Sequence, residues 1–383
     1  MEPYLPNYLK GKNRRLVFDL LRERGQMSRA EITRDTGMSF PTAMKVVDAF
    51  LEKGLLVELD ETGPAAGAGR KGRLLRFEPG AYRAVGVECE GRFARVGLAD
   101  MAGGVQARET IELGDFARTR DLSPLAAAIR RMCAAANGAP VLGVCIGFPA
   151  NLDPDAAAIV SYAAMDIQQP TSFAQVFPAF WREVELPVYL ENDANLACEG
   201  EAFLRRGAGG AANMLYLSIG SGCGGAVRLD GKLRRGARCR AGEVGAMLLQ
   251  PALGAPGRGA ARETLEDAVC LAALERRFGA ALRDGAQPGE ASAQAMRDYL
   301  CGPLSGAVYS LVMTLDVELC VLAGIVPGAL GMQLCTQVSE ALRAALPEST
   351  PVRVEPSVSA DAGVIGAAAT VFERSLDALL GSG

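Results

Sequence analysis

The stretch SRAEITRDTGMSFPTAMKVVDAFLEKG, residues 28–54, carries start and stop signals for two helices joined by a tight turn. Ser28 and Glu31 have the three-residue spacing of a capping box, and Gly37 is a residue type that commonly ends a helix. Ser39 predicts the N-cap of the second helix. The apolar residues of that helix have the spacing of one buried face: Ala43, Val46, Val47, Phe50 and Leu51. The stretch therefore predicts a helix-turn-helix.

The flanking segments extend this motif to a winged helix. Before it, NRRLVFDLLRER (residues 13–24) predicts another helix. After it, LLVELD (55–60) and RLLRF (73–77) predict two strands, and the Gly/Ala-rich segment between them (61–72) is a wing. Apolar residues on one face of the first helix predict its buried side: Leu16, Val17, Leu20 and Leu21. Residues 1–80 are thus predicted to form a winged helix-turn-helix domain.

The charge distribution makes this first domain the candidate for binding an anionic partner. Residues 1–80 carry 14 Lys and Arg against 11 Asp and Glu, although the whole chain has a net charge of −4. In a winged helix, the start of the third helix enters the major groove of DNA. The candidate DNA-contacting residues are Ser39, Phe40, Thr42 and Lys45 on that helix and Arg70, Lys71 and Arg73 around the wing. The alternative is a solvated basic hairpin beside a three-helix interaction module.

The composition excludes several kinds of chemistry. Histidine is absent, so no mechanism can use imidazole as a base or a metal ligand. The ten cysteines lie singly without a C-x-x-C pair, which favours reduced core thiols over a disulfide framework or a zinc ribbon. No apolar run reaches the roughly 18 residues of a membrane span, and the N-terminus does not resemble a signal peptide. We therefore expect a cytoplasmic protein with no membrane partner.

Beyond residue 84, strand patterns alternate with helix patterns, which predicts an α/β fold with ligands at the carboxyl ends of strands. Two glycine-rich segments interrupt this pattern. PVLGVCIGFPANLD (140–153) indicates a buried strand that ends in a loop, and NMLYLSIGSGCGGAVRLDGKL (213–233) indicates a hairpin. LPVYLENDANLACEGEAFL (186–204) indicates a strand that runs into a helix, and residues 359–380 predict a closing helix.

The order of these motifs resembles the ROK family of repressors and sugar kinases, in particular its winged-helix regulators of the xylose-repressor type. The resemblance rests on the first stretch together with GRKGRLLRF, ENDANLACEGEA, SIGSGCGGAV, GKLRRGARCRAGEVG and TLED. It implies a two-lobed, actin-like ATPase (ribonuclease-H-like) fold over residues 81–383, with a sugar site between the lobes. The first lobe is expected at about 81–193 plus the C-terminal helix, and the second at about 194–360. Kinases of the family lack the DNA-binding domain.

Asn192 and Asp193 place an amide beside a carboxylate at a strand end. Such a pair can donate to one sugar hydroxyl and accept from its neighbour. The alternative is a turn in which both residues cap a helix. The resemblance implies that Glu243 and Glu266 also bind the sugar. In the kinases, the aspartate that matches Asp193 acts as the general base.

The sequence departs from the family in its metal loop. Ala246 stands where the family has a histidine, and Pro256, Gly257 and Thr264 lie around the positions of its zinc-binding cysteines. A structural zinc site needs thiolate or imidazole at nearly every position. We therefore predict no metal and no cofactor, and a sugar pocket with looser geometry.

A second departure concerns the first phosphate turn. Glu88, Cys89, Glu90, Gly91 and Arg92 replace the Asp-x-Gly-Gly-Thr turn of the kinases. Carboxylates at this point repel the phosphates of a nucleotide. The glycines of residues 220–225 are intact, but they also fit a plain hairpin turn.

These observations predict a DNA-binding transcriptional regulator and not an enzyme. It is expected to repress carbohydrate-metabolism genes, to respond to a sugar or sugar derivative, and to bind pseudo-palindromic operator DNA as a homodimer or homotetramer. One alternative is an ATP-dependent sugar kinase with Asp193 as base. Another is a DNA-bound regulator that no longer binds a small molecule.

Overall fold

The N-terminal elements form three helices and a small antiparallel sheet with the strand order β1-β3-β2. They are α1 (Pro6–Arg24), β1 (Gln26–Ser28), α2 (Arg29–Thr36), α3 (Phe40–Glu52), β2 (Leu56–Thr62) and β3 (Arg73–Phe77). The computed structural model describes residues 6–62, 73–206, 210–249, 263–279, 282 and 288–380. The predicted wing residues Arg70 and Lys71 therefore lie outside the described residues.

The local signals for α2 and α3 are confirmed. Ser28 Oγ accepts from the Glu31 N–H at 3.3 Å, and the Glu31 carboxylate accepts from the Ser28 N–H at 2.7 Å. Gly37 ends α2 with a φ of 67°, in the left-handed region that glycine favours. Ser39 caps α3 by accepting from the Thr42 N–H. The turn between the two helices therefore has the geometry of a helix-turn-helix.

The predicted buried face of α1 is partly wrong. Val17 and Leu21 are buried as expected, but Leu16 is 43% exposed. Arg14 is buried instead, and its Nη2 donates to the Leu380 carbonyl at 2.9 Å. The face is rotated because α1 packs against the C-terminal end of the chain as well as against the other helices of its own domain.

The first lobe is built on a five-stranded sheet with the order β11-β7-β4-β5-β6. In it β11, β7 and β4 run parallel to one another, whereas β5 pairs antiparallel with β4, and β6 pairs antiparallel with β5. A three-stranded sheet, β10-β9-β8, packs beside it. The elements are β4 (Arg83–Glu90), β5 (Phe93–Asp100), β6 (Val105–Glu112), α4 (Phe116–Thr119), α5 (Ser123–Ala135), β7 (Val141–Phe148), β8 (Asn151–Asp153), β9 (Ala158–Ser161), β10 (Thr171–Ser172), α6 (Phe173–Val176), α7 (Pro178–Glu183) and β11 (Val188–Asn192).

The second lobe is built on another five-stranded sheet, with the order β14-β13-β12-β15-β16. Its strand β15 is buried along its whole length. Of the short 3₁₀ turns in the described residues, the one at 244–246 belongs to this lobe, whereas those at 79–81 and 163–165 precede it. The elements of this lobe are β12 (Met214–Ile219), β13 (Cys223–Leu229), β14 (Lys232–Arg234), α9 (Leu265–Val269), α10 (Leu271–Phe278), α11 (Glu290–Leu315), β15 (Leu319–Ala323), α12 (Ile325–Leu330), α13 (Met332–Ala345) and β16 (Arg353–Pro356).

Two helices lie between the sheets, α8 (Asp193–Leu204) and α14 (Ala362–Leu379). Buried residues of α14 share a core with the first sheet, and those of α8 share a core with the second. The two helices are in backbone contact, because a Cβ at Gly200 would lie 1.8 Å from the Ala362 carbonyl oxygen and one at Gly366 would lie 1.9 Å from that of Leu196. The two sheets are therefore packed together through this helix pair.

Helix α1 rests on both of these helices. Arg15 pairs with Glu373 of α14, and the Arg22 guanidinium lies 4.9 Å from the ring centroid of Phe203 near the end of α8. The winged helix is thus joined directly to the layer between the lobes. Within the described ranges, no helix combines the length and apolar character needed to span a membrane.

Candidate functional site

A cleft of about 1570 Å³ opens between the two lobes. It brings together all four residues that the sequence predicts for a sugar site: Asn192, Asp193, Glu243 and Glu266. The first pair comes from the point where β11 runs into α8, and the second pair comes from the second lobe. The residues are far apart in sequence, and they meet because both sheets direct strand ends or loops toward the same cleft.

Of the two roles predicted for Asn192 and Asp193, capping of a helix and binding of a sugar, the structure shows the capping in Asn192. Asn192 caps α8: its Oδ1 accepts from the Asn195 N–H at 3.1 Å, and its Nδ2 donates to the Ala150 carbonyl at 3.3 Å. Asp193 Oδ1 accepts from the Ala194 N–H at 2.9 Å. Burial raises the pKa of Asp193 to about 6, helped by the nearby carboxylates of Glu90 and Glu243. The Asn192 amide is thus engaged by the backbone, whereas Asp193 offers a carboxylate to the cleft.

Glu266 is held beneath the glycine-rich turn of the second lobe. Its Oε2 accepts from the Cys223 N–H at 2.8 Å, and a Cβ at Gly222 would lie 2.8 Å from the same oxygen. The glycines form the turn between β12 and β13, with Ile219 paired to Cys223. The turn is therefore a hairpin, as the sequence analysis allowed beside a phosphate-binding loop. It also lines the cleft. One of its backbone donors is already occupied by a carboxylate.

Glu243 also comes from the second lobe, and sequence reasoning missed its main partner. Asn151 of β8 donates through Nδ2 to Glu243 Oε1 at 2.7 Å and to the Cys239 carbonyl at 3.1 Å. Burial raises the pKa of Glu243 and the Glu266 carboxylate adds to the rise, while Arg240 opposes it. No sequence signal marks Asn151, because its contact crosses from one lobe to the other.

The first phosphate turn is occupied by an ion-pair cluster. Arg95 Nη2 lies 3.0 Å from Glu88 Oε2 and 3.4 Å from Glu90 Oε2. A Cβ at Gly220 would lie 3.2 Å from Glu90 Oε1, so Glu90 faces the glycine turn across the cleft. Sequence reasoning missed Arg95, although β4 and β5 form a hairpin in which Glu88 pairs directly with it. The predicted carboxylates thus line the cleft with a cation between them.

The charge state of Glu88 gives a testable pH dependence. Burial raises the pKa of Glu88 from 4.5 to about 7, with Arg95 opposing and Glu90 adding to the rise. A carboxyl whose pKa is raised on folding stabilises the fold below its ordinary pKa, and this contribution is lost as the pH rises through 7. Glu88→Gln should therefore reduce the fall in unfolding free energy between about pH 5 and pH 8.

Urea unfolding midpoints at the two ends of this range measure the effect. Glu112→Gln is the matched control, because Glu112 is an exposed carboxylate on β6 that pairs with Arg92 at 3.0 Å. The control should keep the wild-type pH dependence. An unchanged pH dependence in Glu88→Gln contradicts the assignment.

The metal loop does not provide ligands among the described residues. Ala246 lines the cleft, Thr264 caps α9 by accepting from the Asp267 N–H, and Pro256 and Gly257 lie outside the described residues. In the described ranges, no three His, Cys, Asp or Glu side chains are grouped to hold a metal ion. A β-bridge between Leu248 and Thr264 joins the two ends of the loop instead. The residues present here do not fit a structural zinc.

The candidate DNA-contacting residues begin α3. Ser39, Phe40 and Lys45 are exposed, with Phe40 at 56%, and Thr42 is half-buried with its Oγ1 2.8 Å from Ser39 Oγ. Arg73 begins β3, and its guanidinium is exposed but lies 3.3 Å from Glu58. The start of α3 therefore presents polar, aromatic and cationic groups to solvent, and the charge of Arg73 is partly balanced.

Residues 84–374 match the ROK family. The matched range is most of the chain and includes both lobes. The chain belongs to the ROK family. The chain is similar to the xylose repressor of Caldicellulosiruptor bescii, 27% identical over 241 residues that make up 62% of this chain and 58% of that protein. The glucokinase of Halalkalibacterium halodurans is 34% identical over 141 residues, 35% of this chain and 40% of the kinase. The chain thus matches less than two thirds of the length of either relative.

Solved ROK structures share the fold. The crystal structure of a ROK family transcriptional regulator, a homolog of the E. coli MLC protein, superposes with a TM-score of 0.76 at 17% identity. The superposition covers 97% of this chain and 98% of the regulator. The predicted fold class is confirmed: a winged helix-turn-helix precedes a two-lobed, actin-like α/β body.

Proposed function

We propose that this ROK protein is a DNA-binding transcriptional regulator that represses carbohydrate-metabolism genes in response to a sugar or sugar derivative. The observation that carries the proposal is that α1 of the winged helix packs directly against α8 and α14, the two helices between the lobes. Helix α8 begins at Asp193, which lines the cleft. The likeness to the xylose repressor supports the proposal. We further propose domain boundaries at residues 1–80 and 81–383, with all strands of each large sheet in one lobe.

The sugar is proposed to bind through carboxylates on both walls of the cleft. Asp193, Glu243 and Glu266 accept from hydroxyls, while Asn192 shapes the wall by capping α8. Carboxylates are suited to this because they accept strong hydrogen bonds and donate none when ionised. The same cleft disfavours nucleotide phosphates, because the carboxylates of Glu88 and Glu90 occupy the first phosphate turn. In the glycine-rich turn of residues 220–225, the Cys223 N–H already donates to Glu266.

The response to sugar is proposed to travel along α8. This helix runs from Asp193 to Leu204, about 18 Å at 1.5 Å per residue, and Phe203 near its end lies beneath Arg22 of α1. A sugar that favours one arrangement of the lobes changes the positions of α8 and α14 relative to α1. By linkage, the sugar can change the DNA affinity by no more than the ratio of its own affinities for the two states. The corresponding coupling free energy is typically about 1–3 kcal/mol.

The DNA partner is proposed to be a pseudo-palindromic operator bound by a homodimer or homotetramer. Two copies of α3 then lie about one helical turn of DNA apart, roughly 34 Å. Phosphate contacts from Lys45 and the wing make such binding strongly dependent on salt. A fragment of the promoter of its own gene and a random duplex of equal length are the two DNAs to compare.

Lys45→Ala tests the proposed DNA surface. Lys45 is exposed near the start of α3, and a dimer that loses one phosphate contact from each of its two copies of α3 should show a slope of log affinity against log salt that is smaller by about 1.8, or about 0.9 for each contact. Binding should weaken by the same factor for both DNAs. Fluorescence anisotropy between about 50 and 200 mM KCl measures the slope. Lys232→Ala, an exposed cation on β14 of the second lobe, is the control and should leave the slope unchanged.

The outcome that contradicts the regulator is equal affinity for the promoter fragment and the random duplex at every salt concentration. A change of slope in Lys232→Ala instead of Lys45→Ala would move the DNA surface to the body. A flat thermal-shift screen against sugars would leave the DNA-binding part of the proposal standing and favour a regulator without a small molecule. A bound sugar at about a hundred times its Kd stabilises a protein by roughly 2.7 kcal/mol, which such a screen detects.

A sugar kinase is the second candidate, and one observation favours it. Asp193 is a carboxylate with a pKa raised to about 6 at the cleft, which suits a general base. Sugar-dependent ADP release by the purified protein, lost in Asp193→Asn, would establish this activity. Absence of ADP release with glucose, xylose and N-acetylglucosamine supports a regulator that is not an enzyme.

A further inference from the structure

Asn151 joins the two lobes at the wall of the cleft. It belongs to β8 of the first lobe, whereas both of its acceptors, Glu243 Oε1 at 2.7 Å and the Cys239 carbonyl at 3.1 Å, follow β14 of the second lobe. The orientation of the amide follows from its partners: Glu243 Oε1 and the Cys239 carbonyl can only accept and therefore face the Nδ2 donor, while Oδ1 accepts from Ser161 Oγ at 3.0 Å. One side chain thus satisfies three polar groups from two lobes.

Other polar contacts hold the same second-lobe segment against the first lobe. Arg240 Nη2 donates to Ser161 Oγ at 3.3 Å. Arg235 Nη2 lies 2.6 Å from Oε2 of Glu191, a buried carboxylate on β11. Residues 235–243 are therefore fixed to the first lobe at both ends, and Asn151 supplies the contact that reaches the carboxylate facing the cleft.

The contact with Asn151 determines which lone pairs of Glu243 remain for a ligand. An amide N–H directed at Oε1 fixes the plane of the carboxylate, and the remaining acceptor sites then point in set directions. Arg240 also lies near Glu243, and Glu266 and Asp193 are the carboxylates that interact with it. Among these neighbours, Asn151 is the neutral donor that binds Glu243 without adding charge to the cleft.

We propose that Asn151 is the positioning residue of the sugar site, orienting Glu243 from the opposite lobe so that the sugar binds most tightly in the lobe arrangement that keeps this contact. The inference rests on the proposed function, because it assigns the source of the sugar response. A ligand shifts a conformational equilibrium only by its differential affinity for the two states. When the lobes separate, Glu243 loses its donor, and the sugar loses a pre-oriented acceptor.

The first test measures sugar affinity in Asn151→Ala. D-Glucose, D-xylose and N-acetyl-D-glucosamine are screened with the wild-type protein by thermal shift, and calorimetry is carried out with the sugar that stabilises it most. Asn151→Ala should weaken binding of that sugar about tenfold, since hydrogen bonds to charged groups contribute this much. Asn151→Asp places a second carboxylate against Glu243 and should weaken binding further. Gln106→Ala removes an exposed amide on β6 that accepts a hydrogen bond from Arg83 at 2.7 Å and does not line the cleft, and it should bind sugar like wild type.

The pH profile of binding separates positioning from a general structural role. The Asn151 N–H stabilises ionised Glu243, so its removal raises the pKa of Glu243. Sugar affinity that depends on the ionised carboxylate should then be lost at a higher pH in Asn151→Ala than in wild type as the pH falls. A structural defect lowers affinity at every pH and leaves the midpoint unchanged.

A double-mutant cycle tests the contact without any sugar. Asn151→Ala, Glu243→Gln and the double variant are compared by urea unfolding, and the pair should be coupled by about tenfold in the unfolding equilibrium constant. Additive effects overturn the inference, as does wild-type sugar affinity with an unchanged pH midpoint in Asn151→Ala. If the wild-type protein binds none of the three sugars while the cycle shows coupling, the proposed sugar response fails and the contact between the lobes stands.

Discussion

Gly200→Ala should lower the unfolding free energy by about 3 kcal/mol, although alanine is the better helix former. The new Cβ would lie 1.8 Å from the Ala362 carbonyl oxygen and 2.6 Å from its carbon. A backbone group cannot rotate away as a side chain does, so α8 and α14 must move apart. The gain in helix propensity, about 1 kcal/mol, is too small to offset this overpacking.

Gly306→Ala is the matched control. Gly306 lies inside α11 and is exposed, and a Cβ at this position would have no neighbouring atom within 4 Å outside its own helix backbone. The control should therefore raise stability by about 0.5–1 kcal/mol. Urea unfolding followed by circular dichroism in the far ultraviolet gives both values. Equal stability of Gly200→Ala and wild type would show that the helices are not in backbone contact, and the proposed route from the cleft to the winged helix would lose its rigid element.

The winged helix could be predicted from sequence because its signals are local. The capping box of Ser28 and Glu31, the left-handed Gly37 and the N-cap Ser39 each act within one helical turn. Some strands of the body, β7, β11, β12 and β13, are predicted in the same way, because buried apolar runs and glycine turns mark their ends. Leu16 was misassigned because the partner of that face, α14, lies at the other end of the chain.

The candidate site was visible only in part. Asp193, Glu243 and Glu266 were found through motifs, and the structure places them around one cleft. Arg95 follows from the register of a single hairpin, so a strand-pairing argument would have found it. Asn151 depends on how one lobe faces the other, and no local pattern specifies that. The expected looseness of the pocket remains a prediction, while the described contacts of Asn151 with Glu243 and of Glu266 with the Cys223 N–H fix both acidic edges.

Glu201→Ala should destabilise the protein by about 3–5 kcal/mol, the usual cost of removing one partner from a buried charge pair. Glu201 is fully buried, and its carboxylate accepts from Arg205 Nε at 2.9 Å, from the Val358 N–H at 3.0 Å and from the Ser357 hydroxyl. Its removal leaves the buried Arg205 with less compensation and a backbone donor without its acceptor. Urea unfolding measures the loss.

Two comparison variants show that the loss comes from burial of the pair. Glu183→Ala breaks an exposed pair with Arg130 at 3.2 Å and should cost less than about 1 kcal/mol. Glu201→Ala combined with Arg205→Ala should cost less than the sum of the single changes, since the second change removes the stranded charge. Residues 357–359 connect β16 to α14, so Glu201 ties α8 to the start of the helix on which α1 rests. A fully additive cycle would mean that Glu201 and Arg205 do not stabilise each other, and the loss in Glu201→Ala would then have to come from its contacts with Ser357 and Val358.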